Sequence, residues 1–392
     1  MAAPPPLSSL RVLRMPTITS VSDFRTLARR RIPRFAFDYL DGGAGDEVGV
    51  RRNTDAFDAL KLMPRMLVNV EKIDLSTTFF GKKWNMPFGT APIGAGGLMW
   101  PRGEEAIARA AVEAGIPYTN STPACTSLER IREVAGENAW FQLYVGRAES
   151  MVEDLVGRAE AAGYDVMFVT VDVPLPPRRL RDLRNHFTMP FAWSPWVVWQ
   201  LLIHPEWSIR TVMNGIPRFA NIERYAPNPG VQPLARYMSS QVTGKFDWDA
   251  LKRLRDRWKG KLVPKGLLSV EDCLKAKEIG CDGIVVSNHG GRQLASLPTS
   301  IEVLPAIRAA VSKDFPLILD SGIRSGEHIV KAIASGADFC LVGRAMIYAV
   351  AGLGVAGPKT ALELLHAEMV QALGQIGYPT LAELRTNSPI MK

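Results

Sequence analysis

The sequence predicts an α/β protein: a closed (β/α)8 TIM barrel with a helical segment before it and a long insertion after its fourth strand. Three observations predict it. Eight short apolar runs recur from Phe88 onward, amphipathic helical patterns lie between them, and every run ends in polar or glycine-rich residues. Eight strands in alternating βα order predict a closed barrel.

The runs are Phe88–Pro92, Pro117–Ser121, Ala139–Leu143, Val166–Asp172, Lys261–Lys265, Gly283–Ser287, Pro316–Asp320 and Asp338–Val342. Most are rich in β-branched or aromatic residues, as parallel strands buried on both faces are. Helical periodicity fits Glu104–Ala114, Met151–Ala162, Val270–Ile279, Ile301–Val311 and Glu327–Ser335, with Gly or Pro at many junctions. Two segments fall outside the repeat. Val21–Val70 reads as helical with a turn at Asp41-Gly42-Gly43, and Phe187–Gly244 is a Pro- and Trp-rich insertion with no clear period. Lys359–Ile376 reads as an amphipathic helix packed on the barrel. Residues 1–20 read as a disordered tail, and 21–392 as a single barrel domain.

Hydrophobic residues make up 47% and charged residues 22%, a globular balance. The formal net charge is +8, and half of it lies in one place. Pro176–Arg224 holds seven Arg, no Lys and three acids, together with four of the nine Trp. Arg mixed with Trp suits a membrane surface better than a nucleic-acid reader, and no nucleic-acid motif is present. Within the insertion, 191–203 is apolar and uncharged. It is too short to span a bilayer and long enough to lie in its interface. Arg179, Arg181, Arg184, Arg210 and Arg218 flank it as candidate headgroup contacts. The alternative is that this run covers the barrel mouth or a subunit interface. Cys125, Cys273, Cys281 and Cys340 form no CxxC pair and read as reduced thiols in the cytoplasm.

Barrel enzymes build their sites from the C-terminal ends of the strands. Here those ends carry Pro92-Ile93-Gly94, Ser121-Thr122, Gln142-Leu143-Tyr144, Thr170-Val171-Asp172, Lys265-Gly266, Ser287–Arg292, Asp320–Arg324 and Gly343-Arg344. Gly322 and Gly343 let backbone N–H groups approach an anion, and Arg324 and Arg344 add charge, so the last two ends read as a phosphate site. Glycine turns with surface arginines are the plainer alternative. In Asn288-His289-Gly290-Gly291-Arg292 an imidazole that accepts protons near neutral pH sits beside a guanidinium that grips a carboxylate. Asp172 is the carboxylate best placed to orient His289, though a helix-capping role would suit it as well. Gly94-Ala95-Gly96 and Gly43-Ala44-Gly45 do not complete a GxGxxG, because Met99 and Val48 stand at the third positions, and no His/Glu spacing suggests a metal.

These residues resemble the FMN-dependent 2-hydroxy acid dehydrogenase and oxidase family from about Ser20 to Leu384. Ser287-Asn288-His289-Gly290-Gly291-Arg292-Gln293 is the most specific match. Tyr39–Gly43, Phe141–Tyr144, Lys265-Gly266 and Asp320–Arg324 follow the family order, and His204-Pro205-Glu206-Trp207 resembles the (S)-mandelate dehydrogenase branch. The resemblance implies FMN as cofactor. Pro92, Ile93, Gly94, Ser121, Gln142, Thr170, Lys265 and Ser287 would surround the isoalloxazine and ribityl chain. Asp320, Gly322, Arg324, Gly343 and Arg344 would hold the ribityl chain and phosphate. Tyr39, Tyr144, Arg179 and Arg292 would hold substrate, and His289, backed by Asp172, would be the base.

It implies oxidation of an (S)-2-hydroxy acid such as mandelate, with L-lactate or an oxygen-using oxidase as alternatives. It also implies a quinone-type acceptor, a homo-oligomer such as a tetramer, and a peripheral place on the inner face of the cell membrane. A non-catalytic phosphate-binding barrel on a membrane is the rival of a different class, and a Tyr39, Tyr144, His289 and Arg292 set argues against it, since binding needs no base. Three departures from the family pattern are Leu180 after Arg178-Arg179, Ala295 after Gln293-Leu294, and Pro123 where glycolate-oxidising members carry Trp. The last leaves room for a larger, aromatic substrate.

Overall fold

The computed structural model describes residues 17–187, 192–226 and 234–391, so most of the expected disordered tail, 1–20, lies outside the described residues. The strands in chain order are β1 (Thr77–Phe79), β2 (Lys82–Trp84), β3 (Phe88–Thr90), β4 (Tyr118–Ser121), β5 (Ala139–Tyr144), β6 (Val166–Thr170), β7 (Lys261–Leu267), β8 (Ile284–Val286), β9 (Leu317–Leu319) and β10 (Phe339–Val342). β3 to β10 pair in parallel and in sequence order, and β10 closes back on β3. All eight apolar runs are therefore barrel strands, several of them shorter than the runs. Ser269, Thr299 and Ser325 start the helices after β7, β8 and β9, each hydroxyl accepting a backbone N–H of the first turn.

Three elements were not legible in the pattern. β1 and β2 form an antiparallel hairpin whose Phe79 and Trp84 plug the N-terminal mouth against Trp140, Phe168 and Phe339. The helix Arg344–Leu353 follows β10 and packs on the N-terminal helix Val21–Arg31. The insertion, which showed no period, holds the helices Pro195–Ile203, Pro205–Asn214 and Leu234–Gln241. Its Pro at the first helical turn and its near-uniform apolarity hid a helical period.

The helical stretch Arg344–Ile376 is long and apolar enough to cross a membrane by length and composition, but most of it is buried against the barrel. The insertion behaves in the opposite way. Trp199, Leu202, Ile209, Val212 and Met213 are each more than half exposed, while Trp207, Phe219 and Ile222 are buried. The insertion is thus docked on one side and open on the other. Trp207 Nε1 donates to the Leu98 carbonyl at 3.0 Å, and the Asn221 side chain takes the Leu128 N–H at 2.8 Å and reaches the Ser121 carbonyl at 3.2 Å.

Candidate active site

The loop after β8 carries three consecutive left-handed residues: His289 (φ 57°), Gly290 (66°) and Gly291 (72°). A histidine in that region is strained, and it persists only where surroundings over-determine it. Asn288 supplies the constraint. It exchanges two side-chain amide hydrogen bonds with buried Asn53, at 2.8 and 2.6 Å, and its Oδ1 accepts from Gly291 N at 3.1 Å. His289 N donates to Ser287 Oγ at 3.0 Å. The imidazole is thereby aimed into the barrel mouth.

His289 Nδ1 lies 2.9 Å from Asp172 Oδ1, and Nε2 lies 3.1 Å from Tyr144 Oη. Burial raises the Asp172 carboxyl, but the charge and hydrogen bond of His289 outweigh it and hold Asp172 below its ordinary range. Burial, reinforced by Asp172, pushes the Tyr144 phenol up, so it stays protonated. In the neutral imidazole these partners assign the tautomer: Nδ1–H donates to Asp172, and Nε2 accepts from the Tyr144 hydroxyl. That leaves Nε2 as the proton acceptor facing the cavity. Asp172 reaches this position because Gly266 (φ 114°) sits in a bulge of β7; a Cβ there would lie 2.4 Å from Asp172 Cβ.

Two guanidinium groups face the same space. Arg292 lies 5.1 Å and Arg179 5.2 Å from the Tyr39 ring centre. Burial and then the neighbouring Arg179 push Arg292 down to about 10. Among the described residues Arg292 donates only to backbone carbonyls, Tyr39 and Gly42 at 2.8 Å each, whereas Arg179 pairs with Asp182 at 3.2 Å. Positive charge here is undercompensated, which favours an anionic ligand. Leu180, one of the departures from the family pattern, opens the short helix Leu180–Arg184, and Arg179 still lines the cavity.

The cavity is about 600 Å³. Every site residue expected from sequence lines it except Asp172 and Ser287, which stand behind His289 and Lys265. Buried Lys265 joins Ser287 Oγ (2.9 Å) to Asp320 Oδ2 (2.8 Å). Ser121 donates to Gln142 Oε1 at 2.7 Å, and Gln142 Nε2 to Thr170 at 2.9 Å. Gly322 (φ 97°) passes so close to Asn53 that a Cβ would lie 2.2 Å from its carbonyl oxygen. Arg344 spends three donors on the Leu40, Gly42 and Gly290 carbonyls. Arg324 donates only to Ile323 O at 2.8 Å among the described residues, and burial lowers its pKa. A largely unpaired guanidinium deep in a polar cavity fits a phosphate group, and the hydroxyl, amide and ammonium groups around it fit the polar edge of a flavin.

Sequence reasoning missed Asn53, Phe187 and the end of the insertion. Phe187 stacks on Tyr39 at 4.5 Å, and Ser239, Gln241 and Val242 wall the cavity mouth. None carries a motif signal, because each is brought in by contacts long in sequence. Among the described residues no cluster of His, Cys, Asp or Glu is arranged to hold a metal ion.

The model of the family FMN-dependent dehydrogenase matches residues 28–390. The chain belongs to this family. As an FMN-dependent dehydrogenase it is a flavoprotein oxidoreductase, and the phosphate-ready end of the cavity is explained. It is 40% identical to the (S)-mandelate dehydrogenase of Pseudomonas putida over 93% of this chain and 92% of that one. It is also 40% identical to an L-lactate dehydrogenase of Allorhizobium ampelinum over 95% and 98%. Among solved structures, the monotopic membrane protein (S)-mandelate dehydrogenase superposes with a TM-score of 0.90 at 39% identity, covering 96% of this dehydrogenase and 100% of that chain. A mandelate oxidase superposes with a TM-score of 0.81 at 37% identity, covering 94% and 97%.

Proposed function

We propose that this dehydrogenase oxidises an (S)-2-hydroxy acid with a large, aromatic side chain, of the mandelate type, to the 2-oxo acid. The observation that carries it is the Tyr144–His289–Asp172 chain facing the Arg292 and Arg179 pair across one cavity. Arg292 and Arg179, flanking Tyr39, would take the substrate carboxylate. His289 Nε2 would take the proton that leaves the substrate, Asp172 would hold the resulting imidazolium, and Tyr144 would bind the substrate oxygen. Pro92, Ile93, Gly94, Ser121, Gln142, Thr170, Lys265 and Ser287 would hold the ring system and ribityl chain of FMN. Asp320, Gly322, Arg324, Gly343 and Arg344 would hold its ribityl and phosphate end. Bound there, FMN supplies the acceptor for two electrons. Lys265, already paired with Asp320, would balance negative charge beside it.

The preference for a bulky acid rests on Gly94 and Pro123, which line the cavity and face each other; a Cβ on Gly94 would meet Pro123 Cγ at 2.9 Å. Equal identity to an L-lactate dehydrogenase supports a second reading, a small acid. Anaerobic bleaching of the yellow protein separates them. Titration with glycolate, L-lactate and both mandelate enantiomers should give fastest flavin reduction with (S)-mandelate, and a preference for glycolate or L-lactate would sink the bulky-substrate reading.

The exposed Trp199, Leu202, Ile209, Val212 and Met213 support peripheral attachment to the inner face of the cytoplasmic membrane, with a quinone as acceptor. One barrel domain, assembled as a homo-oligomer such as a tetramer, would carry this anchor. Excising 187–244 would strip buried Trp207, Phe219 and Ile222 from the core, so the anchor is tested by its outward side chains. W199S/L202S/V212S should no longer sediment with phospholipid vesicles while keeping flavin and activity with a soluble dye. Undiminished sedimentation would remove the anchor.

A further inference from the structure

Of the five arginines that flank the apolar run in sequence, four are engaged inside the protein. Arg179 pairs with Asp182 in the active-site cavity; Arg181 bridges Asp38, Asp41 and Glu47; Arg210 pairs with Glu206; and Arg218 pairs with Glu223. Only Arg184 has no acid partner among the described residues. It does not stand alone. A second cavity, about 880 Å³, brings it together with Arg29 and Arg34 from the first two helices, Val21–Arg31 and Arg34–Asp41. Neither the Arg29 nor the Arg184 side chain makes an ion pair or hydrogen bond among the described residues. Arg34 reaches Asp38 only at 3.4 Å and is largely exposed.

The remaining ionisable side chains of this pocket are Arg25, Arg181, Asp38, Asp41 and His186. Asp41 is spent on Arg25 (2.6 Å) and Arg181 (2.8 Å), and Asp38 accepts from Asn185 at 2.9 Å as well as from Arg34 and Arg181. Counting Arg, Asp and Glu alone, the lining carries five cations against two anions, a surplus of three. The start of the exposed apolar helix Pro195–Ile203 also lines this pocket, through Trp196 and the preceding Ser194. The two sides are tied together: Arg34 N donates to Gln200 Oε1 at 2.8 Å, and Arg31 makes a two-pronged pair with Glu206. The pocket is therefore a basic cleft of fixed width, at the edge of the surface proposed to enter the membrane.

We propose that this cleft binds a phosphate ester, presented by an anionic phospholipid headgroup, through Arg29, Arg34 and Arg184. The inference rests on the membrane reading above and adds to it a defined site and a lipid class. Guanidinium groups suit it because they bind phosphate oxygens in a fork. A headgroup seated there would set the apolar helix at interface depth and leave Trp196 at the level where Trp is favoured.

The test uses the holoenzyme, vesicles of phosphatidylcholine with and without phosphatidylglycerol, and free glycerol phosphate. Wild type should prefer the anionic vesicles. R29Q/R184Q should bind them about thirty-fold more weakly, ~2 kcal/mol at about 1 kcal/mol per cation. It should bind neutral vesicles as wild type does and keep its activity with a soluble dye. R30Q/R178Q removes the same charge from exposed arginines outside the cleft and should lose less than R29Q/R184Q. Tight binding of glycerol phosphate in solution, lost in R29Q/R184Q, would support the cleft and make a soluble phosphate ester its source. Equal loss in the two double variants, or no loss in R29Q/R184Q, would overturn the cleft. So would equal binding of wild type to neutral and anionic vesicles, which would leave the membrane anchor standing. A wild type that ignores every vesicle would overturn the anchor as well.

Discussion

The two ends of the barrel are made by the same strands and do different work. β5 begins with Ala139-Trp140 and ends with Tyr144; β6 begins with Val166 and is followed, past its last residue, by Asp172. At the N-terminal end, Trp84 and Trp140 meet edge to face at 5.8 Å, Trp140 meets Phe168 at 5.5 Å, and Phe79 stacks on Phe339 at 4.8 Å. The charged groups around it, Lys82 over the Trp84 ring and Asp338 paired with Arg308, stand outside this aromatic plug. At the C-terminal end, Lys265, Asp320, Asp172 and His289 are held within hydrogen-bond distance of one another or of a shared partner. The difference teaches that apolar packing at one end secures the strands, so that polar groups at the other can be held in place without packing well themselves.

The sharpest attempt to break this division is His289→Asn. It keeps a polar side chain and removes the base, so flavin reduction by substrate should fall by about 10² to 10⁴, while the melting temperature and bound FMN change little. Near wild-type reduction in stopped flow would refute the assigned role. Trp140→Ala attacks the other end. Emptying a fully buried site of that size should cost about 3–5 kcal/mol of stability, while kcat of the folded fraction stays unchanged. A large fall in kcat without loss of stability would show that the ends are coupled.

Acid sharpens the comparison further, because the C-terminal end holds a buried carboxylate by charge where the aromatic plug has none. Burial opposes ionisation of Asp41, yet hydrogen bonds from Arg25, Tyr348 and Arg181 keep its carboxyl far below the ordinary range. Such a depressed group contributes stability that is complete above its unfolded pKa of about 3.9 and is lost as pH falls toward its folded value. Thermal stability should therefore decline below about pH 4, and Asp41→Asn should be less stable at neutral pH with a shallower acid slope. Trp140→Ala should shift the whole curve by a constant amount; a pH-dependent shift would contradict the division. The smallest effect is expected from Tyr144→Phe. Removing one neutral hydrogen bond to Nε2 costs about 1 kcal/mol, so flavin reduction should slow several-fold, and a loss as deep as that of His289→Asn would make Tyr144 more than a partner.

Most of this architecture was legible because it is local and periodic. Apolar runs of strand length marked all eight strands, and glycine at Gly266 and Gly322 marked strand ends where a Cβ would collide with Asp172 or Asn53. The hairpin at Thr77–Trp84 was not legible, since three-residue strands have too little periodicity. Nor was the assignment of the flanking arginines: a charge count cannot say that Arg181 turns inward to Asp41 while Arg184 does not.

By itself the sequence determined the barrel, its order, the motif that carries His289 and a set of strand-end residues nearly all of which line the cavity, because strand periodicity and turn chemistry are short-range. Only the tertiary structure decided which of two apolar helices is core and which is surface, that Asn53 steadies the His289 loop, and that Arg29 and Arg34 meet Arg184 across a cleft. Each of those depends on contacts between residues far apart in the chain, 235 positions for Asn53 and Asn288, and such pairing leaves no mark on the local pattern of side chains.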